Sequence, residues 1–213
     1  MTLRIAIVDD QELFRAGLGM IIGTQDDMVL AAQAADGRSA LDIARSGEVD
    51  VMLMDLNMPS MDGIEATSII TSSPNSPSVI VLTTFDEDEN VVRAIEAGAG
   101  GYLLKDARPE LLLSAIRAVG EGTSLVATAT TLRLVRERVV GSAPVPSSFT
   151  ALTQREQDVF RGAARGLNNA EIAEHMGLSE TTVKSYLSRT LTKLGLRDRV
   201  QLVLFAFRHG LAP

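Results

Sequence analysis

The chain predicts an α/β fold, a five-stranded parallel sheet with helices on both faces, followed by an all-helical module. Three observations predict it. Apolar runs of strand length alternate with amphipathic helical stretches through residues 3–121, the pattern of a parallel sheet with right-handed crossovers. The string Gly141-Ser142-Ala143-Pro144-Val145-Pro146-Ser147-Ser148 then breaks all periodicity and reads as a linker. Residues 150–210 carry only helical periodicity.

Taken in order, the strands fall near 3–8, 28–34, 49–54, 79–83 and 101–104. The helical stretches between them cover 13–22, 39–44, 64–70, 91–97 and 110–119. Asp36-Gly37, Ser46-Gly47, the prolines at 74 and 77, and the glycines at 98, 100 and 101 punctuate the units. The second strand is ambiguous, because Ala31-Ala32-Gln33-Ala34-Ala35 fits a helix as well as a strand. Residues 127–140 form a short arginine-rich amphipathic stretch with Leu132, Val135 and Val139 on one face. In the last part, Thr153 and Glu156 have capping-box spacing, and that helix stops near Gly166. A second helix spans 170–176 and ends at Gly177. Ser179 caps a third over 180–194, stopped by Gly195, and a fourth spans 198–209. The expected organisation is therefore 1–122, a linker with a short helix at 123–149, and a four-helix domain at 150–213.

Composition narrows the function. Of the 213 residues, 46% are hydrophobic, enough for a core and too many for wholesale disorder. The absence of cysteine excludes disulfides, zinc thiolates and thiol nucleophiles. His175 and His209 stand alone and read as surface or capping residues, not metal ligands. No apolar run reaches the roughly 18 residues of a membrane span, and the first residues read as a strand and not a signal peptide. A cytoplasmic protein without membrane partners is expected. The net charge of −7 divides unevenly: residues 1–122 hold 8 Lys/Arg and 20 Asp/Glu, whereas 123–213 hold 12 and 7. An acidic module and a basic one follow, the second suited to a polyanion.

The chemistry-bearing residues sit at strand ends. The first strand ends in Asp9 and Asp10, the third in Asp55, the fourth in Thr83 and the fifth in Lys105. In a parallel sheet these ends share one edge, where open α/β sheets place their ligands. Three acids, a hydroxyl and an amine around one point suit a divalent cation and a phosphoryl group. Mg²⁺ takes one or two carboxylates, a carbonyl and waters. Asp10 and Asp55 are the candidate carboxylates, Asn57 the candidate backbone carbonyl, and Asp9 a ligand directly or through water. Lys105 and Thr83 are the candidate donors to phosphoryl oxygens. This constellation points to a phosphorylation switch.

The pattern Val8-Asp9-Asp10, Asp55-Leu56-Asn57-Met58-Pro59, Thr83 and Lys105 resembles the receiver domain of two-component response regulators, across residues 3–121. The resemblance implies a flavodoxin-like fold with strand order 2-1-3-4-5. It implies that Asp55 is the phospho-acceptor, loaded by a sensor histidine kinase or a small phosphodonor. It also implies that Tyr102 is an aromatic switch whose ring follows Thr83 toward the phosphate. Asn57 and Phe85 take the positions that tune water access to the acyl phosphate, and the bulk of Phe85 predicts slow loss of phosphate.

A second constellation runs from Ala170 to Lys184. Ile172, Ala173, Met176, Leu178 and Val183 have the spacing of two short helices packed across a tight turn at Gly177, the helix-turn-helix layout. With Leu152-Thr153-Gln154-Arg155-Glu156 before it and Lys193-Leu194-Gly195-Leu196-Arg197-Asp198-Arg199 after it, the segment resembles the LuxR-type DNA-binding domain. The whole chain resembles a response regulator of the NarL/FixJ group. That resemblance implies Lys184, Ser185 and Ser188 at base edges, and Thr181, Thr182, Arg189 and Lys193 at phosphates, with Asn169 as a further phosphate contact. Tyr186 departs from the histidine most common at its position, and the short Ser185 and Ser188 favour reading of DNA shape. Val200, Val203, Leu204 and Phe207 form a stripe on the last helix, mostly core, whose outer face is implied to pair two domains.

The expectation is a non-enzymatic transcription factor: phosphorylation of Asp55 promotes homodimerisation and binding to double-stranded promoter DNA, where RNA polymerase is a further partner. Two rivals remain. A magnesium-dependent phosphatase with an aspartyl-phosphate intermediate needs an acid two residues after its nucleophile, where this chain has Asn57. The other rival is a receiver whose helical tail binds protein.

Overall fold

The computed structural model describes residues 2–73, 76–84, 88–120 and 143–212. Phe85 and the arginine-rich stretch at 127–140 lie outside these. The chain divides into two compact units, Met1–Leu125 and Val126–Pro213.

In the first unit the strands are β1 (Leu3–Val8), β2 (Met28–Ala34), β3 (Val51–Asp55), β4 (Ser78–Thr83) and β5 (Gly101–Leu104). They alternate with α1 (Glu12–Gly23), α2 (Gly37–Ser46), α3 (Gly63–Ser72), α4 (Asp88–Glu96) and α5 (Pro109–Gly120). All strand pairs are parallel, in the order β2-β1-β3-β4-β5. The inner strands are buried on both faces: Ile5 to Val8 and Val51 to Met54 have no exposed surface. That explains why they read as unbroken apolar runs. Strand parity sorts the core into two layers. Ala6, Val8, Met52, Met54, Val79 and Val81 pack under Ala40, Ala66, Ile70 and Ala94 of α2, α3 and α4. Ile5, Ile7, Val51, Leu53, Ile80 and Leu82 pack under Leu18 and Ile22 of α1 and Leu112 and Ile116 of α5.

The ambiguous alanine run is the edge strand β2. It alternates buried and exposed positions, as expected where only one neighbouring strand, β1, covers it. The first-unit helices begin one to three residues before their sequence-read limits, and all but α4, which ends at Glu96, also run one or two residues past them. Asp36 and Asp62 account for two starts, their carboxylates accepting the Ser39 and Glu65 amides of α2 and α3.

The second unit consists of α6 (Ser147–Thr150), α7 (Gln154–Ala164), α8 (Asn169–Met176), α9 (Glu180–Leu194) and α10 (Arg199–Arg208). Its core joins Phe149, Val159, Phe160, Ile172, Val183, Leu187 and Leu202. Phe149, which the sequence places in the linker, is buried edge-on to the Phe160 ring at 4.9 Å. The isolated aromatic gave no period by which to assign it to the bundle. The capping box at Thr153 and Glu156 forms as expected. A second one, Asn168 with Glu171, starts α8. Gly177 and Gly195 close α8 and α9 in the left-handed region, at φ 64° and 68°, where a side chain would be strained.

Glu156 does more than cap. Its carboxylate also binds Lys193 Nζ, at 2.7 Å through Oε1 and 2.8 Å through Oε2, tying the C-terminal turn of α9 to the start of α7. The Lys193 bond, then the Thr153 amide, lower the Glu156 pKa to about 2. A carboxylate lowered on folding stabilises the fold above its unfolded value and loses that contribution as pH falls through the folded one. The second unit is therefore expected to lose roughly 2 kcal/mol between about pH 4.5 and 2, after allowance for the half-exposed Lys193. Glu156→Gln should flatten this acid limb in a pH series of thermal melts, and an unchanged limb would refute the assignment.

Candidate phosphoryl-transfer site and nucleic-acid interface

The strand order reverses between β2-β1 and β3, so the crevice beyond the C-terminal ends of β1 and β3 is the switch point where such sheets bind ligands. Asp9 and Asp10 follow β1, and Asp55 ends β3. One carboxylate oxygen from each lies within 4.8 Å of the others. Asp9 and Asp55 are buried while Asp10 is exposed, so the cluster opens to solvent on the Asp10 side.

Lys105, just beyond β5, reaches across to this cluster. Its Nζ stands 2.6 Å from Asp9 Oδ2 and 3.0 Å from Asp55 Oδ2, with 8% of the side chain exposed. The same ammonium sits 4.9 Å from the centre of the Phe14 ring, a favourable cation–π placement. Burial and then the nearby Asp9 charge push the Asp55 pKa up, against the Lys105 and Asn57 donors. Burial alone would depress Lys105, yet its bonds to Asp9 and Asp55 win and raise it. An acid held at a cost beside a fixed ammonium is a group whose charge is ready to be redistributed.

Asp9 carries further evidence for a cation. Its Oδ1 accepts the Gln11 amide at 2.9 Å. Its buried Oδ2 is paired with the Lys105 ammonium at 2.6 Å and has no second partner among the described residues. A buried acceptor left so suits an incoming hard cation. The acidic cluster can thus hold a metal ion.

Thr83 and Tyr102 occupy the neighbouring edge. Thr83 is buried, and its carbonyl accepts the Lys105 amide at 2.6 Å, so the two residues are locked together through the backbone. Register places Val81 opposite Tyr102 and Thr83 opposite Leu104. Parity then puts Thr83 and Tyr102 on the same face of the sheet, where half-buried Tyr102 packs against the α2–α4 layer.

Sequence reasoning gave Gly63 no role. A Cβ there would lie 1.9 Å from the Asp55 carbonyl oxygen, and the Gly63 amide donates to Leu56 O at 3.0 Å. The start of α3 is therefore pressed onto the end of β3, fixing the loop that carries Asn57. Ser60 in this loop holds φ at 71°, uncommon outside glycine. The available signal was Asp62-Gly63 opening a helix, which reads as a cap and hides the close approach.

On α9, Thr181, Lys184, Ser185, Ser188, Arg189 and Thr192 are exposed, opposite buried Val183 and Leu187. This is a solvent-facing polar stripe on a helix that follows a tight turn. Some of its donors are already engaged. Ser185 Oγ donates to Thr181 O at 3.0 Å, and Thr182 Oγ1 lies 2.8 Å from the Ser179 hydroxyl. Lys193, expected at phosphate, is bound to Glu156. Asn169 opens α8 and accepts from Arg199 Nη1 at 3.3 Å. His175 Nδ1 meets Glu171 O at 2.7 Å and His209 Nδ1 meets Pro144 O at 2.8 Å. Among the described residues no helix is long and apolar enough to cross a membrane.

Comparison with known proteins agrees with both halves. Residues 5–117 match the response regulator receiver domain, and residues 150–206 match the luxR family of bacterial regulatory proteins. The nitrate/nitrite response regulator NarP of Escherichia coli is 38% identical over 97% of this chain and 96% of its own. The response regulator VraR of Staphylococcus aureus is 35% identical over 99% of each. Among solved structures, ChrA, a response regulator of a heme-sensing two-component system, is 34% identical, with a TM-score of 0.54 over 99% of this chain and 98% of that one.

Proposed function

Because the chain belongs to the response regulators that join a receiver domain to a LuxR-type DNA-binding domain, regulators of transcription switched by phosphorylation, we propose that Asp55 is the residue phosphorylated. The observation that carries this is the buried Asp55 carboxylate at the sheet's switch point, held by Lys105 and flanked by Asp9 and Asp10. In this reading Asp55 attacks the phosphorus of a phosphohistidine on a sensor kinase, or of a small phosphodonor. The new O–P bond forms as the P–N or P–O bond breaks, and the leaving group keeps that electron pair. Positioning and charge neutralisation do most of the work in such transfers.

Mg²⁺ is the cofactor that suits the cluster, and Asp10, Asp55 and the Asn57 carbonyl would hold it, with Asp9 direct or through water. When bound it neutralises charge on the phosphoryl oxygens. Lys105 gives up its contact with the Asp55 oxygen and pairs with the phosphoryl group. Thr83 donates its hydroxyl to a phosphoryl oxygen, and Tyr102, on the same face, follows it inward. The rearranged surface promotes a homodimer that sets two α9 helices on successive half-sites of promoter DNA. Lys184, Ser185 and Ser188 then face base edges. Thr181, Thr182, Arg189 and Asn169 face phosphates, as does Lys193 where it can share its Glu156 partner. RNA polymerase is a further partner at the promoter. The protein is not an enzyme toward other substrates and catalyses only the gain and loss of its own phosphate. We place a receiver at 1–122 and a DNA-binding domain at 150–213, joined by a linker at 123–149 whose last residues, Ser147 to Phe149, begin α6 and pack with the second unit.

The test is to add a small phosphodonor with Mg²⁺ and measure the dimer fraction and affinity for duplex DNA. Both are expected to rise together, with no turnover of a generic phosphate ester. Steady ester hydrolysis, or phosphorylation without any change in DNA affinity, would contradict the reading.

A further inference from the structure

Among the described residues of the second unit, Arg199 is a buried cation. It is the first residue of α10 and only 5% exposed. Its Nη1 donates to Asn169 Oδ1 at 3.3 Å and its Nη2 to the carbonyl of Leu167. Among the described residues no carboxylate lies within ion-pair distance of it. The nearest acid by its effect is Glu171, which offsets burial only in part. The Glu171 carboxylate is turned to the Asn168 amide, at 2.7 Å.

A buried cation without a counter-ion is costly. This one sits at the N-terminus of α8, itself the positive end of a helix dipole. The one acid in the first turn of α8, Glu171, is drawn into the capping box at Asn168 and does not pair with the guanidinium. The hydrogen bond also sets the orientation of Asn169. A guanidinium only donates, so the atom that it meets must be the carboxamide oxygen. The Nδ2 group, on the other branch of the carboxamide, has no acceptor among the described residues, and Asn169 is partly exposed.

We propose that Arg199 is a positioning residue for DNA binding: it holds the Asn169 carboxamide with its NH₂ presented to a backbone phosphate arriving at the start of α8. Arg199 itself does not touch the nucleic acid. The phosphate oxygen accepts from the Asn169 NH₂, which Arg199 keeps turned outward by holding the carboxamide oxygen. This rests on the DNA-binding reading above and adds to it the residue that orients one contact.

Phosphate contacts are independent of sequence, so a short random-sequence duplex at low salt is a sufficient probe for the full-length protein. Asn169→Ala and Arg199→Met are each expected to weaken affinity about tenfold, the worth of a charge-assisted hydrogen bond. The double variant should lose no more than either single one, because both remove the same contact. Asn169→Asp keeps Arg199 and is the second arm, should Arg199→Met fail to fold. It is expected to raise the melting temperature of the second unit, by giving the guanidinium a carboxylate, and to bind duplex more weakly than Asn169→Ala. Additive losses in the double variant, or duplex binding by Asn169→Asp equal to the parent, would overturn the assignment. A parent that shows no salt-dependent binding to the duplex would sink the DNA-binding reading and this inference with it.

Discussion

Gly63→Ala is expected to unfold the loop that carries the phosphoryl site and to lower the stability of the first unit by on the order of 3 kcal/mol, the upper range for overpacking. The physical cause is contact with backbone. The added methyl would stand 1.9 Å from the Asp55 carbonyl oxygen and 2.8 Å from its carbonyl carbon. No rotamer change relieves that, because the obstacle is the end of β3, and β3 is held in register on both sides by β1 and β4. Either α3 must move away, breaking the bond from the Gly63 amide to Leu56 O, or Asp55 must leave its place beside Lys105. The first unit should melt roughly 10 °C lower, and uptake of phosphate should fall even at temperatures where the variant is folded. Differential scanning calorimetry with a phosphorylation assay checks both. A variant that melts and phosphorylates as the parent would show that the loop is far softer than its packing indicates.

Asp55→Asn is expected to abolish phosphorylation while leaving the fold as stable or more so. The carboxylate is buried beside Asp9, and burial is the leading reason that its pKa is raised. A pKa raised on folding means that the ionised form costs stability at neutral pH. Asparagine removes that charge, keeps the size, and still offers an oxygen to Lys105, whose remaining partner Asp9 stands at 2.6 Å. Function and stability are therefore opposed at this position. Thermal melts should show an equal or higher transition, and a phosphodonor should no longer change DNA affinity. A clear fall in stability would mean that the Asp55–Lys105 ion pair outweighs desolvation, contrary to this account.

Much of the fold and of the candidate site is legible in the sequence. Buried parallel strands leave an unmistakable trace, runs such as Val51 to Met54 with no exposed surface. Once five such strands are parallel, the residues that follow them must gather on one edge. Asp9, Asp10, Asp55, Thr83 and Lys105 do so for that reason alone. The capping box at Thr153 and Glu156 is likewise local chemistry written in residues three apart.

What the sequence hides depends on distance in three dimensions. The β2 alanines could be helix or strand because alanine serves both, and only pairing with β1 decides it. Lys193 and Glu156 are 37 residues apart, and nothing near Lys193 announces a partner. Gly63 looks like a helix start because its close contact is with backbone, which has no sequence signature. Arg199 resembles one more surface cation in a basic domain, and only its burial sets it apart. Phe149 lies among linker residues and joins the core through Phe160.

The most direct measurement is to treat the full-length protein with a small phosphodonor and Mg²⁺, trap the product by reduction with borohydride, and map the modified residue by peptide mass spectrometry. The account predicts a single modification, on Asp55, whose extent rises in step with affinity for duplex DNA. Modification at Asp9 or Asp10 instead, or DNA affinity that rises with no modified Asp55, would contradict it.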